Sequence, residues 1–233
     1  MGIELPGVTF VEPAYGAALD WLLCDALGRI AADPAGAEDA EGAYYFRLTT
    51  RPIDQSPFEA ARARLGDDVL RAQALAGAYR LKDAHHDRPE LRDEGAPVVH
   101  LAASGAVMPE VLEAAEELAE EGVAAHVVDV TSAGRLYRSW RDGLREGVRT
   151  ATARPADAAL RAAFPERAPV VTVHDAASHA LAWLGSALGV PAVPLGVDEF
   201  GQSGSVRDLY ELHDLRPGAV VNAALAALHR ASG

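Results

Sequence analysis

Three apolar runs, V-V-H-L-A-A at 98–103, A-H-V-V-D-V at 125–130 and V-V-T-V-H at 170–174, recur through the second half of the chain with helix-forming segments between them. Each run is short and rich in β-branched residues, and none alternates with polar residues. That is how a strand buried on both faces reads. Between the first two, Met108–Glu121 places Val111, Leu112, Ala115 and Leu118 at helical spacing, and its run of Glu113, Glu116, Glu117, Glu120 and Glu121 forms the wet face. Gly122 stops that helix. A strand, a helix and a strand in this order make a parallel pair, because only a crossover of this length returns the chain in the same direction. Ala133–Gly147 and Ala156–Phe164 read as two further helices, Ser178–Leu188 as the next and Ala192–Val197 as the last strand. The terminal helix, Ala219–Arg230, supplies Val220, Val221, Ala224, Leu225 and Leu228. The alternation predicts an α/β fold: a mostly parallel sheet between two layers of helices.

The first half is less regular. Val8–Val11 reads as a strand, and Tyr15–Ile30 as a helix with Ala18, Leu19, Leu22, Leu23, Ala26 and Leu27 at helical spacing. Pro13 sits near the helix start, where a missing N–H costs nothing. Asp33–Gly42 is polar and reads as a loop, and Ala43–Thr50 has the aromatic and β-branched content of a strand. Residues 1–55 thus form one β-α-β unit, too small for a domain. Pro57–Gly66 has the composition of a short helix, and Ala76–Leu81 within the apolar stretch 68–82 is a fifth strand for the main sheet. The polar segment Asp83–Gly95 marks the clearest boundary, so 56–95 is a connector with one strand and 96–233 the main domain.

Composition narrows the function classes. The chain of 233 residues has a formal charge of -13 and a pI near 5.0, which argues against nucleic acid, since phosphates call for a basic face. No stretch approaches the roughly 18 to 20 apolar residues of a membrane span. One cysteine, Cys24, rules out an internal disulfide and fits a reducing cytoplasm. It lies on the apolar side of its helix, where packing is the expected role.

Chemistry-bearing residues gather at strand ends. V-P-L-G-V-D-E-F-G-Q-S-G-S-V-R-D-L-Y, Val193–Tyr210, is an apolar strand breaking into a glycine-rich turn. Asp198, Phe200, Gly201 and Ser203 lie in that turn, and Ser203 or Ser205 caps the helix that follows. The carboxyl end of a strand is where open α/β sheets carry their functional loops. The turn is neither a P-loop, which needs Lys-Ser or Lys-Thr, nor a dinucleotide fingerprint. His174-Asp175 and Ser178-His179 contain the residue types of a hydrolase triad, yet no G-x-S-x-G elbow presents a nucleophile. His85 and His86 are flanked by Asp83 and Asp87 but lack an H-x-x-x-H partner, so they read as part of a solvated loop rather than a metal site.

G-V-D-E-F-G-Q-S-G-S followed by an acidic-aromatic helix resembles a segment in the C-terminal domain of transketolase-like, thiamine-diphosphate-dependent enzymes. F-V-E-P-A-Y-G near the start, A-Y-Y-F-R-L-T-T-R-P at 43–52 and D-V-T-S-A-G-R-L-Y at 129–137 extend the resemblance over nearly the whole chain. Their order is most similar to the homodimeric, pyruvate dehydrogenase type of 2-oxoacid dehydrogenase decarboxylating component, with transketolase the nearest alternative. The resemblance implies a five-stranded sheet whose first strand is antiparallel, with 1–55 the end of a pyrimidine-binding domain. It implies thiamine diphosphate and magnesium in the complete enzyme but none on this chain alone. The family's G-D-G and asparagine ligands are missing, and the one asparagine is Asn222, in the last helix.

Thr49, Thr50 and Arg51 then border the substrate channel, together with His174, which stands where transketolases carry an acidic residue. Pyruvate dehydrogenases follow the two threonines with asparagine, glutamate and histidine, whereas here Arg51-Pro52-Ile53-Asp54-Gln55-Ser56 follows, which puts pyruvate in doubt. Arg51 has the fork of donors to hold a carboxylate or phosphate. The expected partners are the upstream domains or a second subunit, a second copy of the chain, and an acyltransferase component if the chain serves a complex. A free-standing binding or assembly module using the 198–205 turn is the alternative of another class.

Overall fold

The computed structural model describes residues 3, 5, 7–32, 42–152 and 157–232. The polar loop at 33–42 therefore lies almost wholly outside the described residues, as does the start of the helix expected from Ala156. β1 (Val8–Val11) leads through Glu12-Pro13 into α1 (Gly16–Ala32), and β2 (Ala43–Phe46) returns parallel to β1, with Val8 opposite Ala43 and Val11 opposite Phe46. β2 is shorter than the run to Thr50 suggested. Its partner runs out first: the Glu12 N–H is spent on the Thr131 carbonyl at 2.8 Å, and Pro13 has no N–H to offer.

α2 (Ser56–Leu65) and α3 (Asp67–Ala76) come next, and then β3 (Tyr79–Lys82). The sequence reading had no α3. Asp67 and Asp68 in its first turn and Gly77 at its carboxyl cap, with φ of 119°, are the local signals that form and end it. The segment 83–95, read as an open polar loop, holds two short helices, α4 (Ala84–Asp87) and α5 (Pro89–Asp93). Asp83 caps α4 by accepting from the His85 and His86 N–H groups.

The remainder follows the expected alternation: β4 (Val98–Ala103), α6 (Met108–Glu120), β5 (Ala124–Asp129), α7 (Ala133–Thr150), α8 (Ala158–Ala163), β6 (Val170–Val173), α9 (His179–Leu188), β7 (Ala192–Leu195), α10 (Val206–Leu212) and α11 (Pro217–Ser232). Five strands form the main sheet in the order β3-β5-β4-β6-β7, all parallel except β3, which runs antiparallel to β5.

Every residue of β5 and β6 is buried, and the two faces of the sheet hold two separate cores. On one face, α6 and α11 pack with Tyr15 and Ala18 of the N-terminal unit and with Phe58 and Leu70 of α2 and α3. On the other, Leu136, Leu160, Leu181 and Leu184 from α7, α8 and α9 cover the strands. Cys24 departs from expectation. It is exposed, because α1 turns Ala18, Leu22 and Ala26 inward and leaves Leu23 and Leu27 at the surface.

The N-terminal unit is stitched to the main sheet where β1 and β5 end. Besides the Glu12 N–H bond to Thr131, the Ser132 hydroxyl donates to the Phe10 carbonyl at 2.6 Å. This brings the ends of β1 and β2 beside the carboxyl edge of the large sheet. Among the described residues no helix is long and apolar enough to cross a membrane.

Candidate functional site at the carboxyl edge

Strand ends from both sheets meet at one place. β1 delivers Glu12, β2 delivers Arg47 to Arg51, β4 delivers Ser104 and Gly105, and β6 delivers His174 and Asp175. At the centre the Arg47 guanidinium is ion-paired with both Glu12 and Asp175. Glu12 is 3% exposed, and its second oxygen meets His174 Nε2 at 2.9 Å. Burial alone lowers the affinity of Arg47 for its proton, but the bond to Asp175 and the charges of Glu12 and Asp175 outweigh it and push the pKa up. Arg47 is therefore a fixed cation. Gly105 makes room for this network: its φ is +62°, and a Cβ there would lie 2.8 Å from Glu12 Oε1.

Two cavities open on either side of the Arg47 ridge. One, of about 400 Å³, is lined by Arg47, Thr49, Thr50 and Arg51 on one wall and by Gly201, Gln202, Leu209 and Tyr210 on the other. Two stretches about 150 residues apart in sequence, residues 49–51 and the glycine-rich turn, thus line one cleft. The other cavity, of about 470 Å³, is mostly apolar, with Val8, Phe10, Tyr45 and Leu181 in its wall and Glu12, Arg47 and His174 at its polar end.

The individual residues fare differently. Arg51 bonds Glu110 at 2.8 Å, lies 6.0 Å from the Tyr210 ring centre and keeps 31% of its side chain exposed. Burial lowers its pKa, and the Glu110 bond and charge more than restore it. The Thr49 hydroxyl accepts from the Arg51 N–H at 3.2 Å, fixing the turn. Tyr210 is pushed up to about 12, by burial first and then by the charges of Asp175 and Glu110. Asp198 is a brace: it accepts from the Ser178 N–H at 2.8 Å and from its hydroxyl at 2.6 Å, which ties the end of β7 to the start of α9 and lowers the Asp198 pKa. Phe200 is 91% exposed, and Ser203 is exposed too. Ser205, not Ser203, caps α10, accepting from the Asp208 N–H at 3.2 Å. His174 faces the apolar cavity rather than the cleft.

Sequence reasoning met Glu12 and Arg47 within longer stretches but did not single them out, and it passed over Glu110 and Tyr210. The available signal for Glu12 and Arg47 was a charged residue following an apolar strand; Glu110 and Tyr210, inside α6 and α10, carried none. His85 is not merely in a solvated loop: its ring meets that of buried His126 edge-on at 4.9 Å, while His86 is exposed.

The residues at this edge do not fit a magnesium diphosphate. Glu12, His174 and Asp175 offer ligand atoms within 4.8 Å of one another, but Arg47 already stands between the two carboxylates. A divalent ion there would face a permanent guanidinium, and magnesium wants an octahedron of oxygens. The donors this edge does present are guanidinium, hydroxyl and amide groups, which suit an anionic or polyhydroxylated ligand.

A three-layer α/β domain with a cleft at the carboxyl ends of its strands, joined to a β-α-β unit, is the class that fold and site define. The chain belongs to the transketolase-like C-terminal domain family: residues 77–216 match the family described as "Transketolase-like TK C-terminal domain". It is 30% identical over 166 residues to the plasmid transketolase of Cupriavidus necator strain H16, a match covering 71% of this chain and 20% of that protein. The chain spans about a fifth of the length of the curated relatives it matches. Among solved structures it is similar to a Pichia stipitis transketolase mutant in complex with fructose-6-phosphate, with a TM-score of 0.63 and 16% identity over 99% of this chain and 26% of that one. It is also similar to a split-gene transketolase described as an inactive β4 tetramer, with a TM-score of 0.53 and 21% identity over 99% of this chain and 61% of that one.

Proposed function

We propose that this chain is the C-terminal part of a thiamine-diphosphate-dependent enzyme of the transketolase type, catalytically incomplete alone and completed by upstream domains or a second subunit. Residues 1–55 are then the end of a pyrimidine-binding domain and 56–95 a connector whose strand joins the main sheet. The chain supplies scaffold, dimer contacts and one wall of the substrate channel. The observation that carries the reading is the cleft in which Thr49, Thr50 and Arg51 face Gly201 and Gln202. Arg47 and Arg51 give that wall two guanidinium groups.

Transketolase is preferred over the 2-oxoacid dehydrogenase type, toward which the order of the motifs leans, because the curated relatives are named transketolases. The structurally similar Pichia stipitis protein is described in complex with a sugar phosphate, and a phosphorylated sugar suits this cleft. Its phosphate would pair with the donors that Arg51 and Arg47 keep beyond their carboxylate partners, and its hydroxyls with Thr49, Thr50 and Gln202. The split-gene neighbour, inactive as a β4 tetramer, motivates the incompleteness. When bound to the complete enzyme, thiamine diphosphate supplies the carbanion chemistry. This chain's residues hold the substrate's distal end and keep it oriented.

Reconstitution tests the reading. The chain alone is expected to show neither micromolar binding of thiamine diphosphate with magnesium in titration calorimetry nor ketol transfer between sugar phosphates. Mixed with the upstream polypeptide that carries G-D-G and the asparagines, it should recover ketol transfer. Arg51→Ala in that mixture should raise KM for the phosphorylated substrate by about tenfold or more, the loss of one charge-assisted pair. Decarboxylation of pyruvate or branched oxoacids without ketol transfer would instead establish the dehydrogenase type. Cofactor binding by the chain alone would overturn the incompleteness.

A further inference from the structure

Away from the cleft, β3, α4 and β5 bring together a second cluster of chemistry-bearing side chains. Asp83, at the end of β3, His85, in α4, and His126, in β5, each offer a ligand atom, and these atoms lie within 4.8 Å of one another. The geometry points to a divalent transition-metal site here, of the zinc class, with Asp83, His85 and His126 as its three protein ligands and a fourth position left for water.

The distances argue for a shared ion. Asp83 Oδ1 and His126 Nδ1 stand 3.4 Å apart. Two ligands on one tetrahedral zinc, with bonds of about 2.0 to 2.1 Å, are separated by roughly 3.3 Å. A carboxylate with two imidazoles is also the donor set that suits zinc, cobalt or nickel rather than magnesium or calcium.

The surroundings supply the outer partners such a site needs. Asp83 is held by the His85 and His86 N–H groups on Oδ1, at 3.1 and 3.3 Å, and approached by Arg80 on Oδ2 at 3.4 Å. Arg80 is ion-paired with both Glu166 and Asp83, but it meets Asp83 through Oδ2 and leaves Oδ1, the atom nearest His126, for a metal. His126 is wholly buried, and its Nδ1 accepts from the Ala84 N–H at 3.2 Å, the bond a metal would displace. Its Nε2 has no hydrogen-bond partner among the described residues, and Glu166 Oε1 lies 3.9 Å away. Coordination at Nδ1 would leave the proton on Nε2, with Glu166, held by Arg80 at 3.0 Å, the carboxylate facing it beyond hydrogen-bond distance. His85 is only partly buried, so the site opens to solvent on its side.

The test uses the full chain without a polyhistidine tag, stripped with chelator and titrated with Zn2+ against a chromophoric competitor, with Co2+ as the spectroscopic probe. One Zn2+ per chain is expected, with the visible absorption of tetrahedral Co2+ and a higher unfolding temperature when Zn2+ is present. His85→Ala and Asp83→Asn should each weaken Zn2+ binding by at least tenfold and abolish the Co2+ spectrum. His86→Ala, one residue away and exposed, should change affinity by less than twofold. Because His126→Gln removes a core side chain and could unfold the chain, the partly exposed His85 variant is the decisive one, with circular dichroism to show that it is folded. Absence of one-to-one binding, or equal losses in the His85 and His86 variants, would overturn the proposal.

Discussion

Glu12 shows what a single residue does at the junction of the two sheets. Its backbone N–H joins β1 to the end of β5, and its side chain divides between Arg47 and His174 while buried to 3% exposure. Because Gly105 lies against it with positive φ, Gly105→Ala forces an unfavourable backbone and a clash with a buried carboxylate together. A loss of about 2 kcal/mol is expected in denaturant unfolding. A loss below about 0.5 kcal/mol would mean that the loop moves freely.

Asp129 contributes one pH-dependent part of the stability. Burial pushes its carboxyl up to about 7, although the Tyr79 hydroxyl donates to it at 2.7 Å and opposes the rise. In the unfolded chain the value is about 3.9, so the folded state binds the proton more tightly. Its contribution is then fully present below pH about 4 and is lost as pH rises through about 7, by an amount on the order of 4 kcal/mol. Asp129→Asn should flatten the wild type's decline in stability across that window, and an unchanged pH profile would refute the assignment. At this scale the sequence was partly legible. Thr49 to Arg51 stood out through the family resemblance, while Glu12 and Arg47 did not, since their meaning lies in a contact between residues 35 apart in sequence.

At the scale of elements, the buried parallel strands were the most legible, because a β-branched run between glycines and helices has few other solutions. β4, β5 and β6 fall where the apolar runs stand. α3 was not legible, since its window, D-D-V-L-R-A-Q-A-L-A, merges with the next strand unless Gly77 is taken as a stop. The 198–205 turn was legible as a turn, but the jobs within it were not. Asp198 ties β7 to α9 rather than facing the cleft, so Asp198→Ala should cost about 1 kcal/mol of stability, as the loss of a capping interaction does. In the reconstituted enzyme its KM should match the wild type, whereas a tenfold rise would restore Asp198 to the binding wall. Close packing decides the neighbouring contact: a Cβ on Gly185 would lie 2.4 Å from that of Ala192, so α9 meets β7 only through glycine.

For the whole molecule, the N-terminal unit is the part whose sheet is least covered among the described residues. β1 and β2 form a two-stranded parallel sheet among the described residues, whereas parallel sheets are ordinarily covered on both faces and two strands alone are marginal. The apolar side chains around it are correspondingly uncovered: Tyr45 is 56% exposed, Leu48 50% and Leu27 of α1 59%. Soluble monomers rarely tolerate such patches in one region, so the surface should drive association with a second copy or an upstream partner. Charge opposes it. At a formal -13, two copies repel, and the repulsion is screened as salt rises. Sedimentation velocity should therefore show association that strengthens between low and moderate ionic strength, as expected of apolar contacts held apart by like charge. Tyr45→Lys should shift the equilibrium toward monomer at every salt concentration. A clean monomer at high protein concentration and high salt would show that the exposed face of β2 is stable uncovered, and association that weakens with salt would assign the contact to ion pairs instead.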